Sequence, residues 1–226
     1  MNPALRAKTA LLMLRRGEKA EMLNELANRL YSDDGSYILR RDLMRPLEPR
    51  PAARIPIRIR PLESNDLLAI IAERPRRLPA LRAGIPTCYV AVTEDGSLCY
   101  MQWLIQANQQ DRLRPYFKGE LAGYQSDTVL LEFAYTFERF RGQGIMAPAM
   151  AEIAEQGIPL GARWAITYVK QDNIASLKGC ARAGFRPYMM RSEVWRGFRL
   201  RQSFRLLEET ALYPFERGTV SRNVSN

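Results

Sequence analysis

Hydrophobic and polar positions follow two different periods along the chain, and the changes of period separate predicted strands from predicted helices. Alternation in IPIRIRPL (residues 55–62) and an apolar run in TVLLEFAYTF (residues 128–137) predict strands. Helical spacing in NDLLAIIAERPRRL predicts a helix that opens near Asn65 or Asp66. Along the whole chain, the predicted elements follow the order β-α-β-β-β-α-β-α-β, and the last strand is either one strand or two. This order predicts an α/β fold with one mixed sheet.

A β-hairpin is predicted in TCYVAVTEDGSLCYMQW, with its turn at the Asp-Gly pair. A two-residue turn there pairs Cys88 with Trp103 and Val92 with Cys99. This register places Cys88 and Cys99 too far apart to form a disulfide. The three cysteines also lack CxxC spacing, which argues against zinc, so we expect reduced thiols and a cytoplasmic location.

Four segments lie outside this pattern. Residues 10–30 show amphipathic helical spacing, and residues 46–56 hold four prolines that indicate a linker. Between them, YSDDGSYILRRDL predicts a turn and a short strand. Residues 107–126 predict a long loop that is either functional or poorly ordered. The chain is therefore predicted to have three parts: an N-terminal helical extension with a Pro-rich linker (1–54), a main domain (55–208) and a C-terminal tail (209–226).

Charge and composition narrow the classes of function. The net charge of +10 suits a polyanionic small molecule or nucleic acid, but only five of the 34 basic residues are lysines. Without a recognition helix or an aromatic platform, nucleic acid is the weaker interpretation. No apolar run approaches the roughly 18 residues of a membrane helix. Histidine is absent, which excludes His-based triads and His metal sites, and no metal is expected.

The stretch RFRGQGIMAPAM, residues 139–150, places two glycines between a predicted strand and a helix that extends to about Gln156. Gly157 is predicted to cap that helix. Unpaired N–H groups at a helix start attract phosphate, glycines let the backbone approach it, and arginines add charged hydrogen bonds. Taken alone the stretch also fits a simple turn. Its spacing fits neither a Walker loop nor a dinucleotide fingerprint.

A second motif, NIASLKGCARAGF (residues 173–185), follows the predicted strand RWAITYV and indicates a helix. Together with the glycine turn, this order resembles the GNAT acyl-CoA N-acyltransferase superfamily over about residues 55–205. The resemblance implies a GNAT-like fold in which strands 128–137 and 163–169 splay apart. The pantetheine arm of acyl-CoA would then add to the open edge like a strand.

The resemblance also implies which residues contact the cofactor. Its RxxGx(G/A) motif falls on Arg141, Gly144 and Met146, where Met146 replaces a small residue. Arg139 and Gly142 fit the same letters in a shifted frame. The full set expected to bind acetyl-CoA or another acyl-CoA is Ala134, Tyr135, Thr136, Arg139, Arg141, Gly142, Gln143, Gly144, Ile145, Met146, Asn173 and Ser176.

Acyl transfer from a thioester to an amine needs a base, an oxyanion donor and a proton for the leaving thiolate. Glu132, a charged residue in an apolar strand, is the predicted base; the alternative is that Glu132 is only a solvated or salt-bridged strand residue. Tyr168 or a water relay is the second candidate. Cys180 stands where many relatives carry a tyrosine acid, so it is either the acid or a packing residue. The oxyanion donor would be a backbone N–H near Ala134–Thr136.

The expected function is N-acyl transfer, in its simplest form N-acetyl transfer, from acyl-CoA to a primary amine of a small molecule or amino sugar. The amine would attack the thioester directly. The alternatives are a protein-amine acetyltransferase, a non-catalytic acyl-CoA-binding or regulatory module, and a basic nucleic-acid binder. The expected partner is a small-molecule amine, and no association with a membrane is expected. The sequence is also compatible with a homodimer.

Overall fold

The computed structural model describes residues 27–73, 84–117 and 121–216, so most of the predicted helix over residues 10–30 lies outside the described part. After a helical turn at 27–30, the described residues form eight strands and four helices. The strands are β1 (Tyr31–Asp42), β2 (Arg58–Pro61), β3 (Cys88–Val92), β4 (Leu98–Gln106), β5 (Thr128–Thr136), β6 (Trp164–Lys170), β7 (Arg186–Arg196) and β8 (Arg199–Leu206). The helices are α1 (Asp66–Glu73), α2 (Gln110–Phe117), α3 (Met146–Glu155) and α4 (Ile174–Arg182).

The strands form one mixed sheet in the order β2-β3-β4-β5-β6-β1-β7-β8. Strands β5 and β6 are parallel, whereas β2–β3, β3–β4, β4–β5 and β6–β1 pair in antiparallel fashion. The predicted mixed α/β class is confirmed. The sequence did not predict the place of β1, which pairs with β6 from Ser36 opposite Lys170 to Asp42 opposite Trp164.

The chain divides into two compact units. Among the described residues, the smaller contains 27–35 and Arg191–Phe204, and in it Arg196 donates to Asp33 Oδ2 at 2.9 Å. The larger contains the other described residues, from Ser36 to Met190 and from 205 to 216, and it holds the hydrophobic core described next. These units divide the chain elsewhere than at residue 54, so the predicted boundary there stays a prediction.

The core of the larger unit is built where α3 packs on strands β2, β4 and β5 and on α4. The helix is rich in alanine, and its buried face includes Ala147, Ala151 and Ile153. Small side chains let the helix lie close to the sheet. Pro148 falls in the first turn of the helix, where a backbone N–H has no partner within the helix, so the proline costs no helical hydrogen bond. None of the helices in the described residues is long and apolar enough to span a membrane.

The predicted hairpin forms, and Cys88 pairs with Trp103 as expected. The other predicted pair is wrong, because a register shift between Ala91 and Val92 places Val92 opposite Leu98 instead of Cys99. An extra residue in one strand shifts every pair on the turn side of it. All three cysteines are unbonded and buried, in agreement with the expected absence of a disulfide.

Two further local predictions are corrected by the structure. The segment predicted as a long loop begins with a 3-10 turn (Ala107–Gln109) followed by α2, whose Leu113 is fully buried. Gly157 does not cap α3 in the left-handed conformation, since its φ is −71°. Glycine is needed there for space, because a Cβ would lie 2.9 Å from Val129 Cγ2.

The Pro-rich segment predicted as a linker is packed against the larger unit. Leu47, Ala53 and Ile55 pack on the hydrophobic core. The Arg50 guanidinium donates to Glu155 Oε2 of α3 at 3.0 Å. These contacts hold the segment against the core and against the last residue of α3.

Candidate active site

The site begins where β5 and β6 separate. The two strands pair from Thr128–Leu130 to Trp164–Ile166, and the pairing ends there although β5 continues to Thr136 and β6 to Lys170. The divergence predicted for these strands is therefore confirmed. It opens an edge of β5 toward which an extended chain could add hydrogen bonds.

Glu132 lies at the point of separation. Its Oε1 accepts a hydrogen bond from the backbone N–H of Tyr168 at 2.8 Å. A backbone carbonyl would occupy that acceptor place if the ladder continued, so the carboxylate substitutes for it. Glu132 is thus half-buried and linked to β6, which shows a structural role for the residue predicted as the base.

A bulge follows directly in β5. Glu132 pairs with Trp103 of β4, but the register shifts before Tyr135 pairs with Met101. Phe133 has a φ of +57°, which is strained for a bulky side chain, and its ring lies edge-on to Trp103 with centroids 6.1 Å apart. The bulge turns the following residues, so that Ala134–Thr136 line a cavity.

The glycine turn forms the next wall of this cavity. Gly142 and Gly144 have φ values of +78° and +73°, conformations that favour glycine. No atom lies within 4 Å of a Cβ built on Gly142. Within the described residues, the amides of Gly142, Gln143 and Gly144 donate to no hydrogen-bond acceptor. The start of α3 thus presents unpaired N–H groups and the positive end of its dipole.

The two arginines of the motif are placed differently. Arg141 lines the cavity, where it pairs with Glu138 Oε1 at 3.2 Å and donates to the Tyr135 hydroxyl at 3.4 Å. Arg139 lies over the Phe140 ring, 4.6 Å from its centroid, and does not line the cavity. Of these two arginines, Arg141 is therefore the one that borders the cavity.

Helix α4 supplies the facing wall. Asn173 caps it, with Oδ1 accepting from the Ser176 N–H at 3.1 Å, and both residues line the cavity as predicted. Ala175, Gly179 and Arg182 extend the same face. Their spacing covers about 10 Å along the helix.

Met146, the departure from the family motif, is accommodated by a glycine on α4. A Cβ on Gly179 would lie 2.7 Å from Met146 Sδ, so the missing side chain at 179 is what leaves room for the methionine. Both residues line the cavity. Met146, the larger residue at this motif position, therefore narrows the cavity on the side of α4 and leaves the glycine turn intact.

The cavity has a volume of about 720 Å³. Among the described residues, its lining includes three arginines and no aspartate or glutamate. The lining residues that sequence reasoning missed are Ala52, Arg54, Tyr100, Phe140, Ala175, Gly179 and Arg182. The Pro-rich segment supplies Ala52 and Arg54, and β4 supplies Tyr100; no local pattern marks these three.

The predicted catalytic residues lie outside this lining. The Tyr168 hydroxyl donates to the Ala122 carbonyl at 2.9 Å. Cys180 is fully buried, its Sγ lies 3.7 Å from Met150 Sδ, and burial raises the pKa of its thiol to about 12. These contacts favour the packing role that the sequence left open. Tyr100 does line the cavity, donates to Gln102 Oε1 at 2.8 Å, and has its pKa raised well above the ordinary value by burial.

No protein-family model and no curated protein matches the chain. Among solved structures, an acetyltransferase of the GNAT family from Colwellia psychrerythraea matches with a TM-score of 0.51 at 14% identity, over 82% of this chain and 62% of that one. A GCN5-related N-acetyltransferase from Sphaerobacter thermophilus matches with a TM-score of 0.50 at 15% identity, over 78% and 57%. The chain has the GNAT fold. A conserved protein of unknown function from Staphylococcus epidermidis also matches, with a TM-score of 0.50 at 11% identity, over 77% and 66%.

In this GNAT fold, the parts named by the sequence resemblance occupy one place. The splayed β5 edge, the glycine turn and the first turns of α4 surround the same cavity. Gln143 and Arg139 are the members of the predicted cofactor set that do not line it. The resemblance began at residue 55, so β1 and the Pro-rich segment are additions to it. The chain spans less than two thirds of the length of the first two of these solved structures.

Proposed function

We propose that the protein is an N-acyltransferase that takes its acyl group from acetyl-CoA or another acyl-CoA. The cavity carries this proposal. In the part of the chain that the structure describes, unpaired amides and three arginines surround it, no carboxylate residue lines it, and it opens on a strand edge without a partner ladder. Coenzyme A combines a diphosphate with an extended arm that contains amides. Its anionic and strand-like parts match the two halves of the cavity.

The contacts divide along the cavity. The amides from Gly142 to Gly144 and the Arg141 guanidinium would hold the diphosphate. The backbone of Ala134–Thr136 would pair with the pantetheine arm, while Asn173 and Ser176 border it from α4. A backbone N–H of this β5 segment would donate to the oxyanion.

The reaction would proceed by direct attack of a neutral amine on the thioester carbonyl carbon. A C–N bond forms, the C–S bond breaks, and the thiolate leaves and takes up a proton. Glu132 remains the proposed acceptor of the amine proton, through a water because it does not line the cavity, and Tyr168 remains the second candidate. Because Cys180 is buried away from the cavity, we assign protonation of the thiolate to solvent.

Carboxylates beside the cavity provide a reason to favour a cationic acceptor. Glu73, at the end of α1, accepts from the Tyr135 hydroxyl at 2.9 Å and from the Glu138 N–H at 2.7 Å. Tyr135 itself lines the cavity. Two exposed carboxylates thus flank a cavity residue and would attract the ammonium form of a small amine or amino sugar.

Binding is tested by isothermal titration calorimetry with acetyl-CoA on the full chain and on a matched pair of variants. Arg141→Ala should weaken binding about tenfold, the loss of one charged hydrogen bond. Arg139→Ala removes the same charge outside the cavity and should leave affinity unchanged. Absence of binding to the unsubstituted protein would refute the proposal.

Turnover is then measured as thiol release with panels of acyl-CoAs, small amines, amino sugars and peptides. Release that depends on a small amine supports the proposed function. Release with peptides alone would indicate a protein-amine acetyltransferase instead. Tight acetyl-CoA binding without release on any acceptor would indicate a non-catalytic binding module.

A further inference from the structure

Two arginines in the cavity are not used by the diphosphate assignment. Arg54 comes from the Pro-rich segment and Arg182 from the last turn of α4. Both are exposed and both line the same cavity as the glycine turn. Arg54 lies outside the motifs that identified the site from sequence, and Arg182, although within the second motif, was not among the residues expected to bind the cofactor.

The position of Arg54 is set by its main chain. The Arg54 N–H donates to the Gln143 carbonyl at 2.9 Å. The Ala52 carbonyl lies 3.8 Å from where a Cβ on Gly144 would be. The Pro-rich segment therefore lies against the glycine turn, and the Arg54 side chain projects into the cavity from a fixed backbone.

The guanidinium groups of Arg54 and Arg182 differ from that of Arg141 in their ion pairing. In the described part of the chain neither Arg54 nor Arg182 forms an ion pair, whereas Arg141 pairs with Glu138. Like charges that share a cavity without counterions repel each other, and a bound anion offsets this repulsion. A cavity with paired Arg141 and two unpaired arginines is therefore suited to more than one anionic group.

Coenzyme A carries a second anionic group, the 3′-phosphate of its ribose, separate from the diphosphate. We propose that Arg54 and Arg182 bind this 3′-phosphate, so that the protein selects coenzyme A over its 3′-dephospho form. The proposal rests on the proposed function. It assigns to the Pro-rich segment a direct part in cofactor recognition, in addition to its packing on the core.

The test compares the affinities for acetyl-CoA and for 3′-dephospho-acetyl-CoA. The unsubstituted protein should prefer acetyl-CoA by about tenfold or more, as expected for charged hydrogen bonds to phosphate. Arg54→Ala and Arg182→Ala should each weaken acetyl-CoA binding and leave the affinity for the dephospho form unchanged. Arg54→Lys keeps the charge and should recover part of the preference.

Arg58→Ala provides the control, because Arg58 is exposed on β2, lies outside the cavity lining, and its loss changes the net charge equally. It should not alter the preference. Equal affinity of the unsubstituted protein for both ligands would overturn this inference alone, as would arginine variants that weaken both ligands equally. Failure to bind either ligand would overturn the proposed function as well.

Discussion

Replacing Glu132 separates its contact with β6 from its proposed chemistry. Its carboxylate accepts the Tyr168 N–H at 2.8 Å where the strands part. Glu132→Ala leaves that half-buried N–H without this acceptor, whereas Glu132→Gln retains a carbonyl oxygen in nearly the same place and removes the base. The two variants therefore test the two roles independently.

The magnitude follows from the bond that is lost. A hydrogen bond to a charged group contributes about 1.5–3 kcal/mol, so Glu132→Ala should lower the free energy of unfolding by about 2 kcal/mol. For a chain of this size that corresponds to a fall in Tm of about 4–8 °C. Glu132→Gln should cost less than about 1 kcal/mol. If Glu132 is the base, Glu132→Gln should also lower kcat by about 10²-fold or more.

The assays are urea unfolding followed by circular dichroism and thiol release under saturating substrates. Glu152→Ala, on the exposed face of α3, is the control and should change stability by no more than about 0.5 kcal/mol. If Glu132→Ala were as stable as the unsubstituted protein, the role assigned to the carboxylate between the strands would be refuted. Full turnover by Glu132→Gln would remove Glu132 as the base.

Three further predictions concern packing and titration. Gly179→Ala should destabilise the protein by about 1 kcal/mol, because the added Cβ meets Met146. In a Met146→Ala background the same substitution should be neutral or stabilising by up to about 1 kcal/mol. Additive effects of the two substitutions in urea unfolding would contradict this prediction. The Arg60 guanidinium, with a backbone N–H, holds the pKa of Asp66 below its ordinary 3.8. The stability that the Asp66 carboxylate contributes is therefore complete above about pH 4 and lost as pH falls through the native pKa. Asp66→Asn should flatten this acid dependence of the urea midpoint, and an unchanged pH profile would contradict the prediction. Burial raises the thiol pKa of Cys99 to about 11 and that of Cys180 to about 12. At about pH 8 the buried native cysteines should therefore not react with a thiol reagent until guanidinium chloride is added. Rapid labelling of the native protein would contradict this and show that the thiols are accessible.

Local pattern was sufficient for the elements that build the cavity. The apolar run of β5, the glycine pair and the Asn-capped α4 each have a signal within a few residues, because strand burial, positive φ and capping are local requirements. Their assembly required the family resemblance, since spacing alone does not show that two motifs meet.

The parts that sequence did not predict depend on distant contacts. The helix α2 was missed because Leu113 is buried within an otherwise polar segment, which gives little periodic signal. Arg54 was missed because prolines carry no hydrophobic period and its place is fixed by the Gln143 carbonyl, far along the chain. Glu132, chosen by its charge and strand position, lies outside the cavity lining, because the bulge at Phe133 turns only the β5 residues that follow it toward the cavity.

Strand β1 has a consequence for how the chain is synthesised and shortened. Its partner in the sheet, β6, emerges only after most of the intervening sequence, so β1 must wait unpaired while the rest of the larger unit is made. Such non-local pairing slows folding and leaves an aggregation-prone segment exposed. A shortened chain that began at residue 55, where the family resemblance begins, would lack β1 and leave the β6 edge that it covers unpaired. Expression of residues 55–226 alone should therefore yield aggregates, whereas a circular permutant that places β1 after β6 should fold sooner.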